Sequence, residues 1–214
     1  MITWLIIVQF SVSRSSPSLL DHITRDADMN IELLARRRRG IFLNQNKEKC
    51  WIDSSGRNCF MLFPRSLQIA WEEDTRYWTW LSIIEPSASD DVEIEVPELV
   101  KVCYLGVSGI IDISKLSPGI KYEVVFLVMF REDSYGWEAP VDVCLVHPDG
   151  QRLIQKTNLQ NMPKAQWIEI HVGDFQTSQQ PGDQGKEVSF IMSEHGGHWK
   201  SGLVIEGAII RPKK

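Results

Sequence analysis

The 214-residue chain lacks the marks of the common catalytic classes. It has no G-x-S-x-G elbow, no H-E-x-x-H, no P-loop and no G-x-G-x-x-G, so the motifs of nucleophilic, zinc-dependent and nucleotide-dependent catalysis are largely absent. Its four cysteines (Cys50, Cys59, Cys103, Cys144) show no C-x-x-C spacing, which leaves a zinc site unsignalled, and they are too few to staple a fold. Cys50 and Cys59 flank the turn-forming run Asp53-Ser54-Ser55-Gly56 and can face each other across a hairpin, either bridged or, in a reducing compartment, as two free thiols. No Asn-x-Ser/Thr acceptor occurs, which removes one mark of secreted surface loops and points to an intracellular compartment. The apolar residues 1–10 (MITWLIIVQF) are too few to span a bilayer. They also lack a basic flank and a small-residue cleavage site, so they read as an extension rather than a secretory leader. A net charge of −5 gives no general attraction to nucleic acid or acidic membranes.

What is present is concentrated in residues 59–81. Three of the eight tryptophans, Trp71, Trp78 and Trp80, fall there with Tyr77. Leu67, Ile69 and Trp71 alternate with Ser66, Gln68 and Ala70, the period of a strand with one buried face. Glu72-Glu73-Asp74-Thr75-Arg76 interrupts the pattern, and Tyr77-Trp78-Thr79-Trp80-Leu81 resumes it with Trp78 and Trp80 on one face. A polar turn between aromatic strands sets rings beside carboxylates and a guanidinium, which suits a sugar: its C–H face lies on an indole while its rim hydroxyls meet polar groups. Filling a core is the plainer role for the same tryptophans.

Residues 1–39 read as a flexible N-terminal extension in which residues 28–39 have the pattern of a short helix stopped by Gly40. Arg36, Arg37, Arg38 and Arg39 form its basic cluster, read as a solvated helix end, with nuclear import or phosphate binding as alternatives. From Ile41 onward strand follows strand. Residues 92–96 alternate until Pro97 confines them to an edge or a loop, and residues 99–111 read as one strand bent near Gly106 and Gly109. Residues 122–130 are apolar on both faces, as in a central strand. Residues 131–138 read as a loop with Trp137 at its tip, and residues 174–186 as a polar loop containing Phe175. Residues 141–146, 167–172, 188–192 and 203–210 read as further strands. No long amphipathic helix follows residue 40, and the spacing is too short for βαβ crossovers. The expectation is an all-β fold, an antiparallel β-sandwich of jelly-roll type with a short N-terminal extension.

Two constellations invite chemistry. His195 and His198 are spaced H-x-x-H in a glycine-rich loop without a third ligand nearby, a weak metal signal. Glu187 and Glu194 lie seven apart, and an extended chain separates them by more than about 20 Å at 3.3 Å per residue. That is too far for a glycosidase pair, so they read as hydrogen-bond acceptors or surface charges.

Trp51-Ile52-Asp53, Asn58-Cys59-Phe60-Met61-Leu62, RSLQIAW over residues 65–71, Tyr77-Trp78-Thr79-Trp80, Lys200-Ser201-Gly202 and Ile210-Arg211-Pro212, in that order, resemble the phloem protein 2 lectins, the Nictaba-related plant lectins. The resemblance covers residues 40–213. It implies a jelly-roll sandwich that binds N-acetylglucosamine oligomers (chito-oligosaccharides) and N-glycans of glycosylated proteins, with no catalysis, cofactor or metal. It also implies homodimers acting in the cytosol, the nucleus or phloem sap, some of which associate with phloem filament protein and RNA. A module that binds protein or RNA instead of sugar is the rival reading. By the resemblance, the tryptophan closing L-x-I-x-W and the first of Y-W-x-W, here Trp71 and Trp78, contribute to sugar binding, as do two late glutamates aligned with Glu187 and Glu194. An aromatic before that pair falls near Phe175. The lysine-rich import signal of tobacco-type members is missing from residues 151–164, and the F-box of some relatives is not apparent in residues 1–35.

Overall fold

The computed structural model describes residues 39–88, 90–179 and 186–214. The apolar start, the helix expected over residues 28–39 and most of the arginine cluster lie outside the described residues. Strands β1 (Ile41–Leu43), β2 (Glu48–Ile52) and β3 (Asn58–Leu62) form a meander, followed by the short β4 (Gln68–Ile69). Then come β5 (Trp78–Glu85), β6 (Val92–Leu99), β7 (Leu105–Asp112), β8 (Lys121–Phe130) and β9 (Val141–Val146). The series ends with β10 (Arg152–Thr157), β11 (Trp167–Gln176), β12 (Glu187–Glu194) and β13 (Leu203–Pro212). They make an antiparallel β-sandwich of jelly-roll type. One sheet has the order β10-β9-β12-β7-β4. In the other, β13 pairs with β8 along one side, β11 lies beyond β8, and β3 and β6 share the other side of β13.

The core lies between the sheets, as period-two alternation requires. Phe126, Val128, Phe130, Ile205 and Ile210 face Val107, Val143, Leu145, Phe190 and Met192, all buried. Phe190 fits because Gly109 opposes it: a Cβ there would stand 2.4 Å from the ring. A second cluster forms on the opposite face of β3 and β13, where Met61, Phe63 and Val204 meet Ile94 and Val96 of the β5–β6 hairpin. Lys49 fastens that hairpin through Glu85 and the Pro86 carbonyl, both at 2.6 Å.

Several expectations need correction. The strand expected through Trp71 ends at Ile69. The strand expected over residues 99–111 is broken, with β6 ending at Leu99 and β7 beginning at Leu105, so Tyr104 turns outward. The strand expected over residues 92–96 runs on through Pro97 to Leu99; β6 meets β13 only at Glu98, so its neighbouring positions are unpaired on that side, in keeping with the edge that Pro97 implied. Trp137 is buried rather than at a loop tip, edge-on to Phe130 at 5.0 Å. Phe175 belongs to β11 and is buried. Cys50 pairs in register with Phe60 rather than Cys59, and all four cysteines are free.

Candidate functional site

β4 brings the chain to the β7 edge, where Ala70 N–H donates to the Gly106 carbonyl at 2.9 Å. The next residue, Trp71, has φ +60, a left-handed conformation that is an outlier for a bulky side chain and costs on the order of 1 kcal/mol or more. Two indoles hold it there. Trp78 Nε1–H donates to the Ala70 carbonyl at 2.9 Å and Trp80 Nε1–H to the Glu72 carbonyl at 3.2 Å, so the peptide entering Trp71 and the one leaving Glu72 are fixed. The five polar residues close the turn, with Asp74 N–H on the Trp71 carbonyl, Tyr77 and Trp78 N–H on the Asp74 carbonyl, and Arg76 clasping the Asp74 carboxylate at 2.6 Å.

The result is an aromatic wall. Trp71, 49% exposed, packs its ring 5.2 Å from Tyr77 and 5.7 Å from Tyr104. Tyr104 in turn stacks on His195 at 4.2 Å and 5°. Beside it runs a groove of about 590 Å³ whose lining includes Gln68, Glu72, Tyr104, Ser108, Ser193 and His195. Ala70 and Gly106 keep its lining low, and its volume is in the range of small-molecule sites. Burial pushes the Glu72 carboxyl up, and Glu73 adds to this while Arg65 opposes it.

The loop after β12 sets the position of His195. Glu194 and Lys200, both buried, form an ion pair beneath that loop. Lys200 also donates to the carbonyls of Cys103 (3.1 Å) and His198 (2.6 Å), and Glu194 accepts from Gly196 N–H at 2.6 Å. Burial pushes the Glu194 carboxyl up, but the hydrogen bonds from Lys200 and Gly196 outweigh it and hold the group below the usual carboxylate range. Glu194 is therefore a positioning residue whose oxygens are already engaged.

Of the five residues singled out from the sequence, the structure brings Trp71, Trp78 and Glu194 to one end of the sandwich. Only Trp71 displays its side chain to solvent there; Trp78 is 1% exposed and acts as a brace. Glu187 pairs with Asp112, and Phe175 lies on Tyr122 at 5.9 Å, both toward the other end. Glu187 and Glu194 stand at opposite ends of β12, about 23 Å apart at 3.3 Å per residue, which precludes their joint action on one glycosidic bond. Sequence reasoning missed Tyr104 and the stacking role of His195. Neither carries a local signal, because their stack forms between the β6–β7 connection and the loop after β12. Elsewhere, Glu123, His171 and Asp174 converge within 4.8 Å, but the carboxylates are paired with Arg211 (2.7 Å), Lys213 and Lys121 (3.4 Å). Each carboxylate of the group thus already has a cationic partner.

An all-β sandwich that sets half-exposed rings beside a shallow groove of mixed polar and apolar lining offers ring faces on which a ligand could lie. The family model for Phloem protein 2 matches residues 57–212, and the chain belongs to the phloem protein 2 family. It is 39% identical over 208 residues to Protein PHLOEM PROTEIN 2-LIKE A1 of Arabidopsis thaliana, covering 93% of this chain and 82% of that protein. To a protein of Luffa acutangula named Lectin it is 41% identical over 176 residues, covering 82% and 81%. Among solved structures, it is similar to the CBM22-1 xylan-binding domain of Paenibacillus barcinonensis Xyn10C at 12% identity and TM-score 0.33, over 65% of this chain and 88% of that one.

Proposed function

We propose that this chain is a non-catalytic carbohydrate-binding lectin that takes N-acetylglucosamine oligomers, free or within the N-glycans of glycoproteins, in the groove beside Trp71, Tyr104 and His195. The observation that carries the reading is Trp71 itself, a bulky residue held in a left-handed conformation by one buried and one partly buried indole with its own ring half exposed. Strain of this kind persists where surrounding structure over-determines it, as at ligand sites. Sugar C–H faces would lie on Trp71 and Tyr104, with Gln68, Glu72, Ser108 and Ser193 offering amide, carboxylate and hydroxyl groups to the rim. Family membership and the Luffa protein named Lectin support sugar binding in general. Four unbridged cysteines support a reducing, cytoplasmic location. A homodimer would join two shallow sites and raise avidity without new contacts.

The test is calorimetric titration of the full chain with chitotriose beside Trp71→Ala and Tyr104→Ala, with circular dichroism as the check on folding. Saturable binding by wild type and a loss of at least about tenfold in each folded variant is expected, about 1.4 kcal/mol. No heat at millimolar sugar would overturn the lectin reading.

A further inference from the structure

Two more rings reach solvent at this end of the sandwich, and the groove does not use them. Tyr135 and Trp199 are 52% and 53% exposed, yet the backbone beneath them is tightly stitched. Ser201 N–H donates to the Tyr135 carbonyl at 3.0 Å, Arg131 N–H to the Gly202 carbonyl at 2.8 Å, and Trp137 Nε1–H to the Ser201 carbonyl at 2.9 Å. Lys200 and Val102 exchange both backbone bonds, at 2.8 and 3.0 Å. The two segments approach so closely that a Cβ on Gly136, at φ +82, would stand 1.9 Å from the Trp199 carbonyl oxygen. A half-exposed ring adds little to the core, and a stitched backbone beneath it leaves less chain to be ordered on binding.

The loop that bears Trp199 also bears His195 of the aromatic wall. They are four positions apart, so their Cα atoms are at most about 14 Å apart, a span that a few linked sugars cover. Both are anchored by the buried Lys200–Glu194 pair. We infer that Trp199 and Tyr135 form an outlying subsite that takes a further residue of the oligosaccharide held in the groove, so that they set preference for glycan length. The inference rests on the proposed lectin reading. Trp199 and Tyr135 act as specificity determinants, and the wall at Trp71 and Tyr104 supplies the basal affinity.

The experiment is a calorimetric series with N-acetylglucosamine oligomers from dimer to hexamer, using the full chain, Trp199→Ala, Tyr135→Ala and Trp199→Phe. Wild-type affinity rises with length. Both alanine variants bind the shortest saturating oligomer as wild type does but lose about five- to tenfold for the longest, and Trp199→Phe keeps most of the gain. Equal affinities of wild type and the alanine variants at every length, or an equal loss at every length, would overturn the subsite and leave the groove intact. Wild type that binds none of the oligomers would overturn both.

Discussion

Trp71 owes its conformation to Trp78 and Trp80, and Trp71 and Trp78 respond differently to truncation. Trp71→Ala removes a strained, half-exposed ring, so it should change stability by less than about 1 kcal/mol while weakening sugar binding at least about tenfold. Trp78→Ala removes a buried ring and a hydrogen bond together, and should cost about 3–5 kcal/mol. Urea unfolding separates the two: a Trp71→Ala midpoint far below wild type would mean that the ring is structural. Glu194→Ala strands the Lys200 ammonium in the interior, and should destabilise by about 3 kcal/mol and weaken binding only through the loop. Trp71 was legible in the sequence as a candidate, but its exposure was not. The alternation of Leu67, Ile69 and Trp71 runs on as though the strand continued, and the indole bonds that end it come from residues eight positions away.

Whole elements carry a second set of consequences. The β5–β6 hairpin closes over Glu206 on β13, whose carboxyl is pushed up from 4.5 to about 7, chiefly by burial and then by the Glu85 carboxylate, with Lys49 opposing. The folded protein thus holds this proton more tightly than the unfolded chain does. The stability it contributes is complete below about pH 4.5, declines as pH rises and is gone above about pH 7. Glu206→Gln should therefore gain on the order of 2 kcal/mol at pH 8 and almost nothing at pH 4, read as urea midpoints at the two pH values. A gain that is the same at both would remove ionisation as the cause. Elements also explain what alternation concealed. A bulge between His171 and Gly173 in β11 reverses the inward parity, from Ile168 and Ile170 before it to Phe175 after it. β13 does the same between Ile205 and Gly207, from Leu203 and Ile205 to Ala208 and Ile210. A residue inserted in a ladder leaves little trace in composition, so Phe175 read as part of a polar loop.

At the scale of the described molecule, the sandwich was legible because its signal is repetitive: β8, apolar on both faces, is the strand buried between β11 and β13. The groove was legible only in part, because Tyr104 and His195 meet through connections that the sequence does not order. No covalent link holds the described sheets, so the reductant dithiothreitol should leave the melting temperature unchanged, and a fall would reveal a bridge. The most direct test of the central claim is a crystal structure of the chain with chitotriose. A sugar C–H face should lie about 4 Å from the rings of Trp71 and Tyr104, with polar contacts to Gln68, Glu72, Ser108 or Ser193. A trisaccharide bound toward the Phe175 and Glu187 end, with the Trp71 wall empty, would contradict it.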